Sequence, residues 1–126
     1  MGNNSPLLVV SNNPLVWERF PGSVRVEGTV RDLLFHVQGC LAEGEAVLYA
    51  HPAAGNLRLL RNPFRSVILE NRSGNPDGDR SVRDMRIVEE LLLRLENMEK
   101  PSVLEGDLAD YRIVDLDLLL SALPRE

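Results

Sequence analysis

The chain has one cysteine, Cys40, and one lysine, Lys100. A single thiol cannot close an intrachain disulfide, and it cannot supply a cysteine-based zinc site. The remaining cationic side chains are arginine, which reads as genome composition rather than function. A net charge of -5 argues against a nucleic-acid partner, because phosphate binding needs clustered cations. Long apolar runs are also missing. The N-terminal stretch MGNNSPLLVVSNNP has no basic leader, and its apolar run from Leu7 to Val10 ends after four residues. Neither a signal peptide nor a membrane span is expected, which makes the expected location cytoplasmic and removes a membrane partner. There is no GxSxG elbow, no P-loop, no GxGxxG after a strand and no HExxH. The two histidines, His36 and His51, are not placed to share a metal, so no metal or other cofactor is expected.

What remains is ordinary globular material: 126 residues, 44% hydrophobic and 26% charged, enough for one domain with a real core. Repeats and long linkers are absent, so residues 1–126 read as a single domain, with 102–126 as a C-terminal helical extension. Leu7 to Val10 reads as a buried strand, and Asn13-Pro14 as the start of a short helix to Phe20 that Pro21-Gly22 ends. Val24 and Val26 alternate with Arg25 and Glu27, the pattern of a half-exposed strand over 23–27. Val30, Leu33, Leu34, Val37 and Leu41 give an amphipathic helix over 29–41, with Thr29 and Asp32 as a capping box and Gly44 at its left-handed end.

Ala46 to Ala50 and Ser66 to Leu69 are the next apolar strands, and 71–80 is a polar loop. A long helix then runs from Ser81 to about Met98, its buried stripe formed by Val82, Met85, Val88, Leu92 and Leu95. The last helix, over 108–123, carries Ile113, Leu116, Leu120 and Leu123 on one stripe. A helix this apolar either packs deeply or covers a second copy of the chain. This element order predicts an α/β layered domain: a mostly parallel central sheet of about four strands flanked by helices. The strand at 66–69 is the expected exception, antiparallel to the strand at 46–50, because no helix intervenes to carry a parallel crossover.

Ligands of such sheets collect outside the carboxyl ends of the strands, and two motifs fall there. At Ser11-Asn12-Asn13-Pro14, free amides and a helix start offer an anion seat; simple capping by Asn13 is the alternative. The second motif opens the connection from Ala50 to about Phe64, much longer than the usual median of roughly 4–6 residues. Histidine is the side chain whose unperturbed charge change falls near neutrality, so His51 is placed to act as a catalytic general acid or base, or to brace the loop backbone. Gly55-Asn56 supplies a turn. Arg65 and Ser66, opening the next strand, would lie beside His51, with Arg65 as a forked donor to a carboxylate or phosphate, or in a surface ion pair. Cys40, on the buried side of its helix, reads as core.

VSNNPLV, then GEAVLYAHPAAGNLRLLRNPFRSVIL, then a helix carrying MRIVEELLLRLENM resembles the GrdX family. Those are small proteins associated with glycine, sarcosine and betaine reductase systems. The matching positions are Asn12, Asn13, Pro14, Leu15 and Val16, then His51, Pro52, Gly55, Pro63, Arg65 and Ser66. Ser11 stands where the family favours threonine, Tyr49-Ala50 precedes the histidine, and Phe64 replaces a common tyrosine. The resemblance covers about Leu7 to Met98 and leaves out the segment after Pro101. It implies a place beside a selenium-dependent reductase pathway and names no reaction. The expected function is an accessory or small-ligand-binding protein with an anion pocket of Asn12, Asn13, Gly55, Asn56, Arg65 and Ser66. Its partner would be a reductase component or a small anionic metabolite. The alternatives are an enzyme that uses His51 as general acid or base, and an interaction subunit that dimerises through the C-terminal helix.

Overall fold

The computed structural model describes residues 7–44, 46–50, 62–71, 78–97 and 105–124. In chain order these form β1 (Leu7–Ser11), α1 (Pro14–Arg19), β2 (Val24–Arg25), α2 (Val30–Ala42), β3 (Ala46–Leu48), β4 (Ser66–Asn71), α3 (Gly78–Asn97) and α4 (Glu105–Ala122). The four strands make one sheet in the order β2-β1-β4-β3. β1 and β2 are parallel, whereas β4 is antiparallel to both β1 and β3. The sheet is therefore mixed, and the expectation of a mostly parallel one is corrected. The reason is the one expected from sequence for β4: a strand that is not preceded by a crossover helix enters the sheet in the opposite direction. β4 does so between β1 and β3, so this one strand reverses two of the three pairings. β1, β2 and β3 still share a direction, so their carboxyl ends meet the start of β4 at a single edge.

Side chains of β1 and β4 alternate between two cores, as the twofold period of a strand requires. Val10, Val67 and Leu69 face α2 and α3, where they join Leu33, Leu34, Val37, Leu41, Val88 and Leu91. Val9 and Ile68 face the other way and pack with Val16 of α1 and Leu119 of α4. Helices thus cover both faces, with the sheet between them. α2 begins as the sequence predicts. Thr29 Oγ1 accepts from the Asp32 amide at 3.1 Å while the Asp32 carboxylate accepts from the Thr29 amide at 2.9 Å. Those bonds hold the Asp32 carboxyl below its usual range. Gly44, at φ +77, closes the helix in the left-handed conformation that glycine adopts without strain.

Several elements differ from their sequence patterns. β2 keeps two residues of the five expected, and α3 starts at Gly78, inside the segment expected to be a loop. Val82 is 57% exposed, but the rest of the α3 stripe holds, widened by Leu91: Val88, Leu91 and Leu92 are buried, Met85 and Leu95 pack against the same core, and Asp84 joins them. On α4 the buried positions are Asp115 and Leu119, with Leu116 and Leu123 half-buried, so the expected stripe is off phase. Ile113 is 50% exposed and Leu120 is 38% exposed. On α4 a buried aspartate, bonded across to the α1 cap and the start of β4, holds the inward position.

Candidate functional site

Asn12 and Asn13 follow directly from β1, and their side chains work as stitches. The Asn12 amide donates to the carbonyls of Gly28 at 3.1 Å and Pro63 at 2.9 Å, and its oxygen accepts from the Arg65 amide at 2.8 Å. One side chain thus ties the end of β1 to the entry of β4 and to the turn before α2. Asn13 caps α1: its oxygen accepts from the Leu15 amide at 3.1 Å, as its place before Pro14 predicts. Its Nδ2 donates to the Arg112 carbonyl at 2.9 Å and to Asp115 Oδ2 at 3.0 Å, both on α4.

Ser11 and Ser66 are cross-strand partners in the β1–β4 register, and their hydroxyl oxygens lie 2.7 Å apart. Ser66 also donates to Asp115 Oδ2 at 2.7 Å, and Ser11 Oγ accepts from the Asn13 amide at 3.0 Å. A hydroxyl has one proton to give. With the Ser66 proton on Asp115, the short contact is filled by the Ser11 proton, so the chain of donors runs from Ser11 through Ser66 to the carboxylate. Asp115 is 4% exposed and Arg65 is 5% exposed. Burial pushes the Asp115 carboxyl above its ordinary value, while the bonds from Asn13 and Ser66 and the Arg65 charge pull it back. Burial lowers the Arg65 guanidinium, and the Asp115 charge opposes that.

Two further contacts fasten α4 to the same edge. Asn62 accepts from the Phe64 amide at 2.9 Å and donates to the Tyr111 carbonyl at 2.9 Å. The Arg112 guanidinium lies 5.0 Å over the Phe64 ring. On the far side of this edge, the outward peptide of Leu48 in β3 is held by α3. The Leu48 amide donates to the fully buried Asp84 at 2.8 Å, and the Leu48 carbonyl accepts from Arg80 at 2.8 Å. Asp84 and Arg80 thus satisfy the Leu48 peptide group as a neighbouring strand would.

Of the residues singled out from sequence, Asn12, Asn13, Arg65 and Ser66 come together at the strand-end edge. Asn13 acts as the cap, and the donors of both asparagines are engaged within the protein. His51, Gly55 and Asn56 lie outside the described residues. Ser11, which opens the first motif, joins the strand-end group through its hydroxyl. Sequence reasoning missed Asn62, Asp84 and Asp115. The last two had a visible signal: each is an aspartate at a helical spacing from apolar residues, where a leucine would be expected. Cys40 is half-buried against the larger core, and burial raises its thiol pKa. Among the described residues, no group of three or more potential ligands is placed to hold a metal. Among them, too, no helix is long and apolar enough to cross a membrane.

Fold and site define a small α/β protein whose mixed sheet carries a buried polar network at one edge. The chain belongs to the GrdX-like protein family, whose model matches residues 8–124. The match includes α4, so the segment that the sequence resemblance leaves out is part of the family's fold. No curated protein and no solved structure matches the chain.

Proposed function

We propose that the protein is an accessory, small-ligand-binding member of glycine, sarcosine or betaine reductase systems. In this reading it takes a small anion at the edge where β1, β2 and β3 end and β4 begins. The observation that carries it is the convergence of Asn12, Asn13, Arg65 and Ser66, separated by more than fifty positions in the chain, into one buried polar cluster. Family membership supports the pathway part of this reading. Asn12 and Asn13 then serve as the frame that fixes the edge, and Arg65 supplies the positive charge. His51, which follows β3 in sequence, is assigned to contact the ligand together with Gly55 and Asn56.

The test is a thermal-shift screen of the wild type and His51→Ala against phosphate, acetyl phosphate, acetate, glycine, sarcosine and betaine. A ligand at 100 times its dissociation constant adds about 2.7 kcal/mol. For a chain of this size that is a rise on the order of 10 °C. The expected result is a shift with one anionic compound, reduced in His51→Ala. No shift with any compound, and an unchanged melting point in the variant, would overturn the ligand reading.

A further inference from the structure

The donors expected to hold an anion already hold one. Asp115 Oδ2 takes hydrogen bonds from Asn13 Nδ2 at 3.0 Å and from Ser66 Oγ at 2.7 Å, and the Arg65 charge favours it. These groups come from the α1 cap and the start of β4, whereas the carboxylate comes from a different element, α4. We propose that Asp115 is the resident occupant of a carboxylate seat formed by Asn13 and Ser66, and that α4 is a strap which an incoming small carboxylate displaces. The proposal rests on the reading of this edge as a ligand site; it adds the chemical class of the ligand and a closing device.

Three features separate a strap from an ordinary core helix. First, α4 buries less apolar surface than α2: among its described residues Leu119 is buried and Leu116 and Leu123 are half-buried against the same core, whereas α2 buries Val30, Leu33, Leu34, Val37 and Leu41. Second, its main polar anchors converge on the seat. Asn13 divides its two donor hydrogens between the Arg112 carbonyl and Asp115, so withdrawal of the carboxylate loosens the helix at both points. Third, a buried carboxylate carries a desolvation cost that a leucine at the same position would avoid. A helix with less apolar burial than α2 and its polar anchors at one seat belongs to the low-stability elements that open first.

The experiment uses full-length Asp115→Asn, in which the asparagine oxygen can still accept from Asn13 and Ser66, so folding is retained. Acetate and formate are titrated against chloride at matched ionic strength, with Trp17 fluorescence as the readout. Trp17 is the only tryptophan, and its indole donates to the Ser11 carbonyl at 2.7 Å, which couples it to the seat. Closure lowers apparent affinity by the fraction of molecules that are open. A weaker neutral occupant should therefore give carboxylate binding about tenfold tighter than in the wild type. Adding Ser66→Ala to the variant should abolish the response. In the wild type, saturating acetate should speed amide exchange in 105–122 and leave α2 unchanged.

If acetate acts on Asp115→Asn no differently from chloride, the seat is overturned. If it binds without faster exchange in α4, the strap is overturned. Failure of the wider functional reading looks different, because it is scored on the wild type and His51→Ala with the full panel.

Discussion

On one face of the sheet, α2 and α3 bury Leu33, Leu34, Val37, Val88 and Leu91 against Val10, Val67 and Leu69. On the other, α1 and α4 bring Val16 and Leu119 to Val9 and Ile68, and a line of polar groups from Ser11 to Asp115 completes the contact. The first face follows the hydrophobic effect, which is non-directional and tolerates small shifts of a helix along the sheet. The second depends on hydrogen bonds with fixed geometry, which specify one seating of α4 and cost most when half satisfied. A protein built this way can keep one face permanently closed and leave the other to respond to what enters its polar edge.

The largest expected effect lies on the apolar face. Leu33 is fully buried between α2 and the sheet, and Leu33→Ala should cost about 4 kcal/mol through lost burial and the cavity left behind. Asp115→Ala should cost less, about 3 kcal/mol, because it leaves the Asn13 and Ser66 donors without their acceptor. The cost is held down by α4 itself, which can lift and let water reach those donors. Urea denaturation of both variants, with amide exchange in α4, tests the order. If Asp115→Ala costs more than Leu33→Ala, α4 is an integral wall and the contrast between the faces fails.

A third variant carries the comparison to the β3 edge. Asp84→Ala removes the acceptor from the Leu48 amide, and stranding a buried donor costs about 2 kcal/mol. Asp84→Asn keeps an oxygen there and should recover most of the loss. Equal denaturation midpoints for the two variants would show that the acceptor at this edge does not matter.

These variants also mark where the sequence stops being legible. α2 could be read in full because its capping box and apolar spacing agree with each other and with its packing. α1 and its cap were readable from Asn13-Pro14 for the same reason. The α3 stripe was read correctly except at Val82, whereas α4 was placed but rotated wrongly, and a stripe drawn through apolar residues admits neither Asp84 nor Asp115. Burial of an aspartate depends on a partner elsewhere: 36 residues away for Asp84 and Leu48, 49 for Asp115 and Ser66. The sheet's mixed character was half legible, in that β4 was expected to reverse, but its insertion between β1 and β3 is a long-range choice with no local signature. At the candidate site, cap chemistry singled out Asn12 and Asn13, and the start of a strand singled out Arg65 and Ser66, yet neither could tell that the carboxyl group beside them is their own chain's Asp115.

The finest test of the contrast is a slope. Burial, opposed by the bonds from Asn13 and Ser66 and by the Arg65 charge, sets the Asp115 carboxyl above the ordinary value of 3.8. The fold therefore favours the protonated form more than the unfolded chain does. The stability that Asp115 contributes is fully present below the unfolded carboxylate range, and it is lost as pH rises through the raised value in the folded state. Asparagine at 115 does not titrate, so the stability of Asp115→Asn relative to wild type should climb as pH rises above 3.8 and then level off. Urea midpoints of the two proteins from about pH 3 to about pH 7 would read this directly. A constant difference across that range would mean that water already reaches the carboxylate. The polar face would then be open in solution, and α4 would have no closed state from which a ligand could displace it.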